Sequence, residues 1–230
     1  MDSIQNRMDL FKNTLFINLE HRTDRLEHAT EEFKKMDIKA ERVDAVKKDI
    51  GAIGCTMSHI KCLEIAKRRN YDCVFICEDD IHFKNPELLK QNLERFNQNT
   101  KINWDVLIIG GNNARPYQIV EEYCSRVFYC RTTTGYIVKK HMYDILLDNF
   151  NESVSKLTQD SSKESIKKNA IDMYWQRLQY QHFWYMITPL TVTQYTSYSD
   201  IENTTCNTEN LLLDMKKEWC MPQHLIPTNK

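Results

Sequence analysis

Cys73 to Asp80 reads CVFICEDD, five apolar residues that run directly into three acids. The apolar run reads as a buried strand. Glu78, Asp79 and Asp80 then stand at its carboxyl end, where an α/β sheet presents ligand-binding groups. Adjacent carboxylates repel one another there, and a hard divalent cation, Mn²⁺ or Mg²⁺, is the natural neutralising partner. The competing reading is an exposed acidic turn that opens a helix, since anions favour helix N-termini.

The surrounding chain alternates strand and helix patterns. TLFINL (Thr14 to Leu19) has the β-branching and alternation of a strand. Thr23 to Lys35 carries Leu26, Ala29 and Phe33 at near-helical spacing, and Lys39 to Val43 reads as a second strand before a loop holding Asp44, Asp49 and Gly51. Cys55 to Arg69 has the apolar face of a helix that packs on a sheet. Pro86 opens another helix, and WDVLIIGG (Trp104 to Gly111) is an apolar strand that breaks at paired glycines. Such alternation predicts an α/β fold with a mostly parallel central sheet flanked by helices. In the second half, Val127 to Cys130 and Thr134 to Val138 read as strands and Lys140 to Phe150 as a helix. Asn151 to Asn169 is polar and rich in Ser and Lys, and is expected to be a mobile loop. Residues 1–200 read as one domain, with residues 201–230 as a C-terminal appendix packed on it.

The 230 residues suit a single domain. A formal charge of -1 provides no global field for nucleic acid or an anionic membrane, so no nucleic-acid partner is expected. The start of the chain lacks a secretory pattern, and no stretch approaches the length of a transmembrane helix. The expected compartment is cytoplasmic. Asn151-Glu152-Ser153 and Asn203-Thr204-Thr205 match the glycosylation sequon and keep a lumenal location open. The eight cysteines form no C-x-x-C pair and read mostly as reduced core thiols, Cys55 among them.

There are five glycines, and none belongs to a dinucleotide fingerprint, a P-loop or a hydrolase elbow. A phosphate ligand would therefore depend on a metal. The glycines are expected in turns or beside strand ends, where backbone approaches a ligand or takes positive φ.

In order, FINLEHRTDRLE, AERVDAV, GAIGCTMSHIKCLEIA, VFICEDDIHF, WDVLIIGG and TTTGYIVKKHMYDILL resemble glycosyltransferase family 25. This family includes lipooligosaccharide galactosyltransferases and the collagen galactosyltransferase domain. The resemblance spans roughly Thr14 to Ile201, and its most specific part is G-C-x-x-S-H followed by E-D-D. It implies a GT-A-like (Rossmann-like) fold, a UDP-sugar donor and an E-x-D metal motif at Glu78 and Asp80. It also implies that Asn18, Arg22 and Arg25 line the nucleotide pocket, and that Ser58 and His59 lie near the donor. A buried, structurally satisfied histidine is the alternative for His59, and a solvated helix face for the two arginines. Asp44, Asp79, Gly110 and Gly111 complete the expected donor side, and Thr134, Tyr136 and Trp175 the acceptor side, with core packing the alternative for Trp175. Asp172 is implied as the catalytic base or a further metal-side ligand, and SYSDI (Ser197 to Ile201) as the segment that closes the donor side.

The resulting expectation is a metal-dependent hexosyltransferase that moves galactose or glucose to a glycan or glycoprotein hydroxyl, with inversion. An inactive sugar-binding protein and a metal-dependent nucleotide phosphohydrolase are the rivals. The sequence leaves the acceptor and the oligomeric state undefined.

Overall fold

A computed structural model describes residues 9–201 and 204–218. The first half comprises β1 (Thr14–Asn18), α1 (Thr23–Met36), β2 (Ala40–Asp44), α2 (Gly51–Arg68), β3 (Cys73–Glu78), β4 (Ile81–Phe83) and α3 (Pro86–Gln98). Then come β5 (Val106–Asn113), β6 (Tyr117–Glu121), β7 (Cys124–Val127), β8 (Cys130–Lys139), a 3₁₀ turn (Lys140–Met142), α4 (Tyr143–Gln159) and α5 (Lys163–Asn169). The chain continues through α6 (Ile171–Tyr174), α7 (Gln176–Gln181), β9 (Trp184–Ile187), β10 (Val192–Gln194), β11 (Ser197–Ser199), β12 (Thr204–Cys206) and α8 (Glu209–Leu213).

Eight strands form the central sheet in the order β2-β1-β3-β8-β5-β9-β7-β6. β1 is parallel to β2 and β3, and β5 is parallel to β9. β8 opposes both β3 and β5, and β7 opposes both β9 and β6. Every strand except β7 and β8 therefore shares one direction, and the sheet is mostly parallel. The fold is α/β with helices on both faces.

Alternation along the strands assigns the two cores. Val74 and Ile76 of β3 face α2 and α4, where Leu63, Ala66, Leu146 and Phe150 are buried. Phe75 and Cys77 face the opposite layer, with Phe33 of α1 and Leu89, Leu93 and Phe96 of α3. Because both faces are covered, the strand must be apolar throughout, which is the run seen in the sequence. The start of α3 also follows from its residues: Pro86 occupies the first turn, and the Asn85 side chain accepts the Leu88 N–H at 3.1 Å.

Three expectations change. Asn151 to Asn169 is not a loop, since α4 continues to Gln159 and α5 follows. Ser153 and Leu157 are buried on α4, Ser165 is buried on α5, and the Ser162 side chain caps α5 by accepting the Ser165 N–H. Val154, Leu157 and Ile166 pack with Ala52 and Ile53 of α2, so a narrow apolar stripe is enough to hold a mostly polar segment helical. No glycine takes positive φ; Gly51 and Gly54 are helical, and Gly110, Gly111 and Gly135 lie inside strands. The sheet also has an antiparallel extension, β6 and β7, and the strand expected at Val127 to Cys130 is instead the connection between the end of β7 and the start of β8.

In the expected appendix, β12 pairs with β11 and Leu212 of α8 is buried, while residues 219–230 lie outside the described residues. The sequon at Asn203 also falls outside them. Among the described residues, no helix is long and apolar enough to cross a membrane.

Candidate active site

A cleft of about 860 Å³ opens at the carboxyl ends of β1, β2 and β3. Its floor is the acidic end of β3. Its walls come from the loop at 45–49, the start of α2, residues 132–133 of β8, residues 170–172, and the segment from Gln194 to Ile201.

Glu78 is held by a shell of donors. Thr133 Oγ1 donates to Glu78 Oε1 at 2.6 Å, and His59 Nε2 lies 3.4 Å from the same oxygen. Burial opposes the Glu78 charge, but the His59 and Thr133 hydrogen bonds and nearby Arg25 outweigh it and hold the carboxyl below its usual range. His59 is fully buried, and its Nδ1 meets the Tyr136 hydroxyl at 2.9 Å. The imidazole is thus a strut between the core and Glu78. Cys55 Sγ approaches Glu78 Oε1 at 3.9 Å, and burial raises its thiol well above the ordinary value, so it stays protonated.

Asp79 and Asp80 differ sharply. Asp79 accepts from Asn18 Nδ2 at 2.7 Å and from Arg25 Nη1 at 2.9 Å, although burial still raises its carboxyl. Asp80 meets the edge of Arg25, at 3.2 Å to Oδ2, and among the described residues its buried Oδ1 has no hydrogen-bond partner. Burial first, and the Glu78 charge second, push the Asp80 carboxyl up to about 8. An orphaned carboxylate oxygen on the floor of an open cleft suits a divalent cation with oxygen ligands. The residues present therefore fit such an ion.

Across the cleft, Asp172 Oδ2 accepts the Thr132 backbone N–H at 3.1 Å, and burial raises its carboxyl. Thr132 has φ of 67°, a left-handed conformation that costs a β-branched residue on the order of 1–3 kcal/mol. That turn lets consecutive residues of β8 hold both acids: Thr132 holds Asp172 through its amide, and Thr133 holds Glu78 through its hydroxyl.

The loop at 45–49 rests directly on α2. Ser58 Oγ accepts the Val46 N–H and donates to Gly54 O, both at 2.8 Å. A Cβ on Gly54 would lie 2.5 Å from Val46 O, so glycine is required for this approach. The opposite wall is tied by two arginines. Arg22 bonds Asp24, the Tyr198 carbonyl and Asp200, while Arg25 bonds Ser197 Oγ, the Tyr198 carbonyl and Asp79.

Of the residues singled out in the sequence, Arg22, Arg25, Ser58, His59, Glu78, Asp79, Asp80 and Asp172 line this one cleft. Asn18 lies just beneath it, bonded to Asp79 and Arg42. The others do not reach it. Asp44 is paired with Arg42 at 2.7 Å and turned to solvent. Gly110 and Gly111 are buried where β5 shifts register against β8; a Cβ on Gly110 would lie 2.8 Å from Val192 Cγ1. Thr134, Tyr136 and Trp175 are completely buried, and Trp175 Nε1 donates to Cys130 O at 3.0 Å. Their chemistry suits a ligand, but their places are in the core. Asp200 lines the cleft from within the segment Ser197 to Ile201, and Thr133, Lys47, Lys48 and Tyr195 line it without a sequence motif that points to them. Only register and distant pairing place them there, and neither is written in local spacing.

Residues 49–163 match the model of a family described as Glycosyltransferase family 25 (LPS biosynthesis protein). A search of the curated proteins finds no match. Among solved structures, the STIV protein A197 is similar at 14% identity and a TM-score of 0.43, over 92% of this chain and 99% of that one. A glycosyltransferase involved in glycosylation of the major capsid of PBCV-1 is similar at 11% identity and 0.42, over 68% of this chain and 72% of that one. A Drosophila β-1,4-galactosyltransferase 7 mutant in complex with manganese, UDP-Gal and xylobiose is similar at 10% identity and 0.39, over 94% and 79%.

Proposed function

The chain belongs to glycosyltransferase family 25, and from that premise we propose that it moves galactose or glucose from a UDP-sugar to a hydroxyl of a glycan or glycoprotein. The observation that carries the finer reading is the orphaned Asp80 Oδ1 beside Glu78 on the floor of the cleft. Glu78 and Asp80 are the residues that would hold Mn²⁺ or Mg²⁺. When bound, such an ion offsets the charge that develops on a departing diphosphate.

The chain's own groups supply the rest. Arg25 sets a fixed positive charge at the edge of Asp79 and Asp80, and a guanidinium suits a diphosphate. Asp172 accepts the proton of the acceptor hydroxyl as its oxygen bonds to the anomeric carbon, and the bonding pair to the diphosphate leaves with UDP. Attack from the face opposite the leaving group inverts the anomeric centre. Its raised pKa makes Asp172 a stronger base than an exposed carboxylate. The Thr132 amide fixes the carboxyl's orientation. Tyr195, half exposed on the cleft wall, supplies a ring face for a sugar in place of the buried Trp175.

Calorimetry tests the donor side. UDP should bind in the presence of Mn²⁺ and lose most of its affinity after chelation. Asp80→Asn, folded by circular dichroism, should lose the metal-linked part. Equal UDP affinity with and without chelator would overturn the assignment.

A further inference from the structure

Behind the acidic strand end, a second group of ligating side chains converges. His28 and Glu32 lie one turn apart on α1, and His82 meets them from β4. One ligating atom of each lies within 4.8 Å of the other two. His28 Nε2 is 2.9 Å from Ile81 O. A carbonyl only accepts, so this nitrogen carries the proton and Nδ1 keeps its lone pair. That is how a metal-ligating histidine is usually oriented. Burial lowers the His28 pKa, which favours the neutral ring a metal requires.

Glu32 Oε1 and His82 Nδ1 are 2.9 Å apart with a proton between them, and that proton is what a cation would displace. Two ligands on one tetrahedral zinc ion stand ~3.4 Å apart, so this edge of a coordination sphere is nearly formed. Glu32 is almost completely buried, and its Oε2 is fixed by the Phe83 N–H at 2.8 Å. Lys35 pairs with Glu32 now, but its side chain is 45% exposed and can turn to solvent. The Tyr195 ring stacks on His28 with centroids 4.1 Å apart and covers one side.

We propose that His28, Glu32 and His82 form a second cation site, selective for a borderline ion such as Zn²⁺ over Mn²⁺ or Mg²⁺. Two imidazoles and one carboxylate match zinc, whereas the all-oxygen end of β3 matches the hard ions. Water completes the coordination. The ion ties α1 to β4 and so stiffens the backbone that follows Asp80, whose carbonyl accepts the Tyr195 N–H at 2.6 Å.

Cobalt is the probe. The full chain, stripped with chelator, is titrated with Co²⁺ and followed by visible absorption, then back-titrated with Zn²⁺. One equivalent of nitrogen-ligated Co²⁺ should appear and be displaced by Zn²⁺. It should persist in Asp80→Asn and in Cys55→Ser, and weaken by at least about tenfold in His28→Gln and in His82→Gln, since even an outer partner is worth ~10–100-fold. His28 is only half buried, so His28→Gln should melt as the wild type does, and it decides the question if His82→Gln does not fold. The proposal fails if the folded wild type gives no cobalt bands or if the bands survive in His28→Gln. It fails equally if they vanish in Asp80→Asn or Cys55→Ser, which would place the ion in the cleft.

Discussion

Replacing Asp80 with Asn should stabilise the metal-free protein, the reverse of what most buried substitutions do. Burial, then the Glu78 charge, raises the Asp80 carboxyl from 3.8 to about 8. Between those values the folded chain keeps a proton that the unfolded chain has released, so rising pH costs the fold stability across this window. At about 1.4 kcal/mol per pH step, the interval up to about pH 7 amounts to on the order of 4 kcal/mol. Relaxation around the site and the contact with Arg25 reduce what Asn recovers to about 1–3 kcal/mol, or roughly 2–12 °C in Tm for a chain of this size. The assay is thermal melting by circular dichroism in chelator, wild type against Asp80→Asn, from about pH 4 to about pH 8. The variant's advantage should be absent at the acid end and grow as pH rises. Adding Mn²⁺ with UDP should stabilise the wild type and leave the variant unmoved, since only a bound state gains by mass action. A variant that melts below the wild type in chelator near neutral pH, or a gap that ignores pH, would show that Asp80 carries no raised pKa in the fold.

Asp172→Asn should lower turnover by ~100- to 10,000-fold while UDP-sugar affinity barely changes, as expected for loss of a positioned base. In the wild type, activity should be lost as pH falls through a value above the ordinary carboxylate range, because burial raises Asp172; a profile that falls only at the ordinary value would count against it. Gly54→Ala places a Cβ 2.5 Å from Val46 O and should cost about 1–3 kcal/mol while weakening UDP binding; unchanged melting would show that the 45–49 loop is not seated on α2. Trp175→Ala removes a fully buried ring and should cost about 3–5 kcal/mol; a normal melt with acceptor use alone impaired would return the ring to the acceptor site.

The elements carrying continuous apolar or strongly amphipathic patterns were legible in the sequence. β1, β3, α1 and α3 fall where those patterns place them, because a strand covered on both faces has no position for a polar side chain, whereas β5 runs on through the paired glycines to Asn113 and α2 starts at Gly51, a turn before its apolar pattern begins. The acidic cluster could be placed for the same reason, since Glu78 follows directly from the buried strand. The end of α4 was hidden because Ser153, completely buried, occupies a core position that a hydropathy pattern scores as polar. Ser153 Oγ donates to Asn169 O at 2.5 Å, which satisfies the hydroxyl inside. Residue chemistry alone does not separate a core place from an acceptor-side one for Tyr136 and Trp175. Each has a polar tip that finds a partner in the core, His59 for one and Cys130 O for the other, so neither needs a ligand to explain it. The pairing of Arg22 with Asp200, 178 positions away in the chain, leaves no local trace in the sequence.

A turnover screen shows whether this cleft transfers a hexose from a UDP-sugar. Nucleotide sugars are offered with Mn²⁺, with and without glycan and glycoprotein acceptors, and UDP release is measured alongside the glycosylated product. UDP-galactose or UDP-glucose should give acceptor-dependent UDP release, matched mole for mole by product and abolished by chelator and by Asp80→Asn. Inorganic phosphate release without sugar transfer, or transfer that persists undiminished in Asp80→Asn, would contradict it.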